Sequence, residues 1–513
     1  MAKVNGWLCL IMLCCCQGIF AAKIVAYSHE SFSHAENIMA IGREMTQRGH
    51  QFSLLVSSIT AEKIHTSVKG IKIVPYPATT SFQQHVECIS MVIKNKLNVS
   101  WECMGILFGS CDGIVSDMET VLQLKKDADL LLVDITSVCS GIVDGILNIS
   151  KVIAYSPAGF IDPSLSRLFH IPASPSYVPT VIVDYSNKMT FFQRLHNSLT
   201  YVAMVILRSA FDPSVQAMYE KLVNSSFKSY GQLRPSMLIV STDFAIDYPR
   251  PITPATKVVG ALLPHAPLKL PQELSDFAEL LHNDSQDFAI VSFGTLVSKA
   301  MDNIIDFQAI GRVLSRLPMK VIWKYHHQID DLGDNVKVVS WFPQNDLLAH
   351  RNCKLFVTHC GLNSMYESAY HGVPMVAVPL FADQPSNAQR IKSAGIGEIV
   401  LFKELNEQSL NDAILKVYKN PEMATKCSTI SNIMRDRPGN RTPVEEVGDW
   451  IEFAIRHDGG RHLNLAASQL RWYELYMIDV ALVLIIIIVM IYKITTRLAS
   501  LTYIFTRNRF LSS

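Results

Sequence analysis

The chain has 513 residues, 49% of them apolar and 18% charged, enough for two to four domains at about 150 residues each. Lysine plus arginine (46) balances aspartate plus glutamate (45) to a net charge of +1, so no global field would hold a polyanion and nucleic acid is excluded as a principal partner. Any phosphate must be caught locally, and a mean hydropathy of +0.20 points to apolar segments outside a core.

Residues 1–22 carry Lys3, an apolar run over 7–16, then the small residues Gly18, Ala21 and Ala22, the layout of a cleaved secretory signal. Residues 23–28 read as a buried strand, Ser33 as a plausible N-cap, and Arg48-Gly49-His50 as the end of a helix before a second strand over 51–56. This βαβ alternation returns at 130–133 and 152–155, and the prolines between Pro249 and Pro271 mark a linker. Short β-rich runs follow at 288–293, 320–323, 336–339, 355–358 and 375–378, separated by helical patterns. The expected fold class is α/β: two doubly wound Rossmann-like domains facing across a cleft, with the ligand at the carboxyl ends of both sheets.

Residues 475–492 form an apolar stretch long enough to span a bilayer, interrupted only by Asp479, and Lys493, Arg497, Arg507 and Arg509 follow it with no acidic residue. The positive-inside rule then puts the tail in the cytosol and everything upstream in the lumen, a single-pass type I arrangement. The expected organisation is a signal at 1–22, a first domain at 23–268, a second with returning helices at 269–474, a span at 475–494 and a cytoplasmic tail at 495–513. Asn98, Asn148, Asn224, Asn283 and Asn440 each open an N-x-S/T sequon, which is useful only on the lumenal side. Of the 11 cysteines four fall in the signal and the other seven are scattered, without a C-x-x-C pair or the density of a disulfide scaffold.

The most informative segment is WFPQNDLLAH, from Trp341, followed by LFVTHCGLNSMYESAYHGVPMVAVPLFADQ, ending at Gln384. Thr358-His359-Cys360-Gly361 leaves a strand and Asn363-Ser364 opens a helix, so unpaired backbone N–H groups and the helix dipole face whatever binds there, and a diphosphate fits. His359 would add a donor, Ser364 a hydroxyl and Gly361 a close approach. Glu367, one turn after Asn363, is set to accept from ribose hydroxyls. The segment resembles the signature of the UDP-glycosyltransferases, inverting sugar transferases of the GT-B type, and in particular their animal membrane-bound, glucuronosyltransferase-like branch. Pro249-Arg250-Pro251, Pro175 to Pro179, Asp436-Arg437-Pro438 and Trp472 extend the likeness beyond it. The resemblance implies that Trp341 stacks on the uracil and Gln344 bonds its edge, that Asp383 and Gln384 grip the sugar, and that Ser292, Gly294 and Thr295 close over the phosphates. It also implies that Arg250 meets a sugar carboxylate, although a P-R-P arginine can equally face solvent. Cys360 stands where many animal relatives have Gly or Ala, and it reads as a packing substitution without a redox role.

Transfer to an alcohol needs a base, and a base needs an orienting partner. His34, at the start of the first helix, has the spacing to Arg48-Gly49-His50 of the resembled catalytic histidine, with His29 as the alternative. Asp134, closing the run Leu131-Leu132-Val133, matches the partner carboxylate. Asp127-Ala128-Asp129 is formally a manganese D-x-D, but it precedes its strand, and no metal or other cofactor is expected.

The expected activity is therefore transfer of a hexose or hexuronic acid from a UDP-sugar to a hydroxyl of a small lipophilic acceptor, with inversion, glucuronosyl transfer leading and glucosyl or galactosyl transfer as the alternative. Endoplasmic reticulum or another secretory membrane is the expected location, although the dilysine retrieval signal is missing. Self-association or association with related transferases stays open. A non-catalytic membrane partner of active relatives is the competing class, and a nicotinamide dehydrogenase is disfavoured because neither first strand is followed by G-x-G-x-x-G.

Overall fold

A computed structural model describes residues 21–511 apart from 65–67, 95–110, 127, 162, 224–234, 280–286 and 303. Residues 1–20 of the expected signal, three of the sequons (Asn98, Asn224 and Asn283) and Asp127 lie outside the described residues. Residues up to Leu463 form one compact unit, and those from Asn464 a second.

The first unit holds two parallel sheets. In the first, β1 (Lys23–Tyr27), β2 (Gln51–Ser57), β3 (Ile71–Tyr76), β4 (Leu130–Asp134), β5 (Val152–Ser156), β6 (Met237–Val240) and β7 (Thr256–Val258) run in the order β3-β2-β1-β4-β5-β6-β7. In the second, β8 (Phe288–Ser292), β9 (Lys320–Lys324), β10 (Val336–Val339), β11 (Cys353–Thr358), β12 (Met375–Ala377) and β13 (Gly397–Ile399) run β10-β9-β8-β11-β12-β13. All pairs are parallel, so helices cover both faces and the central strands read as unbroken apolar runs; β4 and β8 are buried at every position. In both sheets the chain reverses direction beside its first strand, between β1 and β4 and between β8 and β11, and those switch points open crevices at the strands' carboxyl ends.

The sequence runs match the central strands to within one or two residues; the outer ones, β3, β6, β7 and β13, were not anticipated. β7 corrects the linker: Thr256–Val258 lies inside the proline-rich stretch and forms the sheet's edge, where a short strand tolerates prolines beside it.

Two helices help to tie the halves together. The helix Phe82–Lys94 of the first half buries Val86, Ile89 and Ile93 in the core cluster of the second. The helix Pro443–Arg456, opened by a capping box of Thr442 and Glu445, returns to pack on the helix Phe32–Gln47. There Arg48 donates to Glu44 (2.7 Å), to Asp449 (2.8 Å) and to the Glu445 carbonyl, and His50 joins the Ala22 amide to Glu452. His50 is thus a structural bridge at the helix end.

The second unit carries the long helix Ile478–Leu511, whose segment Ile478–Asn508 is long and apolar enough to cross a membrane. It continues through the stretch expected as a tail, because residues 493–511 contain no proline or glycine to stop it.

A disulfide joins Cys111 to Cys139, and Cys88 is disulfide-bonded as well. Cysteine spacing gave no sign of this: in a chain of this size cystines supplement a core instead of replacing it. Cys353, Cys360 and Cys427 are free and buried. Replacing Cys111 and Cys139 together by serine should lower unfolding stability by about 2–4 kcal/mol, read by denaturant titration of the oxidised enzyme.

Candidate active site

At the first switch point, Asp134 ends β4 with its side chain completely buried, and four donors surround it. His34 Nδ1 lies 2.8 Å from Oδ2, the His29 amide donates to the same oxygen at 3.1 Å, and the Thr136 hydroxyl and amide donate to Oδ1 at 2.6 and 3.0 Å. Burial alone would raise this carboxyl, but the His34 charge and hydrogen bond, with help from His29 and Thr136, outweigh it and hold it below its usual range. The contact orients the imidazole and leaves His34 Nε2, on a side chain 20% exposed, without a hydrogen-bond partner among the described residues. His29 is the less suited of the two histidines to act as a base: burial pushes its pKa down to about 4, and its Nδ1 accepts from the Ser31 amide.

Asn37, one turn beyond His34, couples the two crevices. Its Nδ2 donates to the Ser33 carbonyl and, across the halves, to Asn363 Oδ1 at 3.3 Å, while Tyr155 donates to its Oδ1.

At the second switch point, His359 follows β11 and is partly buried. Burial lowers its pKa to about 4, which favours the neutral imidazole as a donor of one N–H. Two glycines frame its ring: a Cβ on Gly361 would sit 2.8 Å from Nε2, and one on Gly294 would sit 3.1 Å away. Cys360 adopts φ 66°, the left-handed region that favours glycine, which accounts for Gly at this position in the resembled enzymes; burial pushes its thiol well up and keeps it inert.

Asn363 and Ser364 occupy the first turn of the helix Leu362–His371 as expected, where the leading N–H groups have no partner within the helix. Gln344 Nε2 donates to Ser364 Oγ at 3.0 Å and to Glu367, so the three residues form one polar cluster. Trp341 stands 65% exposed, its ring face open for stacking. Ser292 ends β8, and its Oγ accepts from Gly294 N at 3.4 Å. Thr295 begins the next helix, and its side chain lies outside the described residues. Asp383 accepts from Asn387, and burial raises its pKa while the charge of His34 opposes the shift, so base and candidate sugar contact are electrostatic neighbours. Gln384 Oε1 accepts from the Leu380 and Phe381 amides, leaving Nε2 to donate.

Arg250 lies away from solvent, its side chain 4% exposed, 3.9 Å from Asp247 and stacked on Phe160 at 4.4 Å. Asp247 also pairs with Arg390 at 3.0 Å and accepts from Thr242, whose hydroxyl meets Tyr366 across the halves. Arg250 therefore belongs to the polar layer beneath Asp383. Asp129 is likewise structural: its carboxylate caps the Lys23 amide at 2.8 Å.

The sequence profile of UDP-glucuronosyl and UDP-glucosyl transferases matches residues 22–509. The chain belongs to this family. Mouse 2-hydroxyacylsphingosine 1-beta-galactosyltransferase is 31% identical over 497 residues, covering 94% of this chain and 89% of that protein. Human UDP-glucuronosyltransferase 2B7 is 28% identical over 496 residues, covering 93% and 92%. Among solved structures, the kitacinnamycin glycosyltransferase superposes with a TM-score of 0.59 at 18% identity (85% of this chain, 99% of that one), and the glycosyltransferase VinC, in complex with dTDP, with 0.57 at 15% (85% and 100%). These likenesses show the GT-B fold. The enzyme is a UDP-glycosyltransferase, and its donor is a UDP-sugar.

One charged residue beside the donor crevice escaped the motif reading. Lys324, at the carboxyl end of β9, is mostly buried and lies within electrostatic range of His359, Glu36 and Glu367. The rule that ligands meet strand ends would have found it, had the end of β9 been scanned as those of β8 and β11 were. Burial raises both Glu36 and Glu367 to about 7, with Lys324 pulling each back. A carboxyl raised from 4.5 to about 7 on folding holds its proton more tightly in the folded state, so its contribution to stability is full below 4.5 and is lost as pH climbs through about 7. Thermal midpoints across this window should fall more steeply for the wild type than for Glu367→Gln; parallel curves would contradict the assignment.

Proposed function

We propose that this UDP-glycosyltransferase transfers a hexosyl group, with inversion, to a hydroxyl of a small lipophilic acceptor. The observation that carries the reading is the His34–Asp134 pair at the first switch point, adjacent through Asn37–Asn363 and Asp383 to the donor crevice of the second.

His34 Nε2 takes the acceptor proton as the oxygen attacks the anomeric carbon from the face opposite UDP. Asp134 holds the tautomer and stabilises the imidazolium that forms. The leaving diphosphate gains charge against the first turn of the Leu362–His371 helix, Ser364, the neutral His359 N–H and Lys324. Trp341 stacks on the base, Gln344 and Glu367 hold the nucleoside, and Asp383 with Gln384 holds sugar hydroxyls. The reaction needs no metal on this reading, and turnover should survive chelation.

Arg250, the residue the resemblance assigns to a sugar carboxylate, lies against Asp247 and Phe160, and this favours a neutral hexose as the donor group. Competition among UDP-glucose, UDP-galactose and UDP-glucuronate tests this directly; preferred use of the glucuronate would overturn it.

A lumenal catalytic unit on one membrane-spanning helix in the endoplasmic reticulum or another secretory membrane is supported by the disulfides, which belong to an oxidising compartment, and by Asn148 and Asn440, the described sequon residues, both exposed.

His34→Ala and Asp134→Asn should each lower kcat by about 10²-fold or more while UDP affinity, measured by calorimetry, stays within about twofold. Full turnover in either variant would remove the base assignment.

A further inference from the structure

Outside the transfer site, a second group of chemistry-bearing side chains converges where the helix Thr295–Met301 ends and β9 runs out. Asp302, His326 and His327 each direct one ligand atom into a common space, and the three atoms all lie within 4.8 Å of one another. His326 Nε2 is 2.7 Å and His327 Nε2 3.3 Å from the same carboxylate oxygen, Asp302 Oδ2. We propose that these three residues form a site for a zinc-class divalent ion, separate from the transfer chemistry.

Two features go beyond an ordinary histidine–aspartate ion pair. The ligands are backed by outer partners: Tyr325 OH donates to Asp302 Oδ1 at 2.9 Å, and Ser298 Oγ lies 3.4 Å from His326 Nδ1. Each contact occupies the atom that is not a ligand and turns the other inward, the arrangement that orients metal-bound carboxylates and imidazoles. Tyr325 is itself fixed, packed between Phe307 at 4.4 Å and Trp323 at 5.3 Å. The spacing also fits. Ligands about 2.0–2.2 Å from a tetrahedral ion lie roughly 3.3 Å apart, so His327 is already in register and His326 needs to withdraw only slightly.

The donor set selects the ion. Two imidazoles and one carboxylate suit zinc, cobalt, nickel or copper, whereas magnesium and calcium prefer oxygen alone. With three protein ligands and His327 60% exposed, the remaining position opens to solvent, so the ion exchanges and is held less tightly than in a closed four-ligand site. A bound ion would clamp the helix that begins at the Gly294 loop to the strand that ends at Lys324. Occupancy should therefore tighten the fold, and through the donor loop the KM for UDP-sugar, without entering the chemical step.

The test uses the full chain in detergent, stripped with chelator and titrated with Co²⁺ alone. The expected result is visible ligand-field absorption saturating at one ion per chain, displaced by Zn²⁺, with a rise in thermal midpoint. His327→Ala, an exposed substitution that leaves the core intact, should weaken Co²⁺ binding at least about tenfold and abolish the thermal shift, and Asp302→Asn should do the same. Equal binding by wild type and His327→Ala, or no saturable absorption in the wild type, would overturn the site. Because these readouts are spectroscopic and thermal, they stand or fall independently of the transferase reading.

Discussion

A carboxylate with no access to water must find its solvation inside the protein, and Asp134 imposes that requirement on the first domain. Its four donors come from two crossing points of the chain: His29 and His34 from the loop and helix after β1, and the Thr136 amide and hydroxyl from the turn after β4. Those elements meet only because β1 and β4 are neighbours on opposite sides of the topological switch. The fold thus makes the pair, and the pair fixes the direction in which His34 presents its free nitrogen.

The second domain repeats the geometry with different chemistry. Its switch point between β8 and β11 carries a histidine boxed by two glycines, with helix N–H groups and the nearby Lys324 supplying positive potential. The halves are registered by polar contacts as well as apolar packing: Asn37 to Asn363, Thr242 to Tyr366 and Asp247 to Arg390. Buried polar layers of this kind cost more to misplace than apolar ones and so specify one alignment of base and donor.

Much of this was legible in the sequence because it is periodic or local. Central strands announce themselves as apolar runs, and the residues from Trp341 to Gln384 stand close together in the chain, so their clustering needs no tertiary knowledge. What was hidden is long-range or electrostatic. The role of Arg250 depends on Asp247 and Phe160, the latter about 90 residues upstream, and P-R-P alone does not separate a buried ion pair from a solvent-facing arginine. The lowered pKa of His359 follows from desolvation, which a motif does not report. Cys111–Cys139 and the Asp302, His326 and His327 cluster bring together residues about 25 or more positions apart, and edge strands such as β7 are too short to rise above their flanking prolines.

The central claim is that His34 and Asp134 act as one unit on the acceptor proton. A double-mutant cycle on kcat tests this most directly, comparing His34→Ala, Asp134→Asn and the double variant at saturating donor and acceptor. The account predicts that the double variant is no slower than His34→Ala alone, because an orienting carboxylate has nothing left to orient. Losses that multiply would contradict it, and would mean that Asp134 contributes to turnover by a route that does not pass through His34.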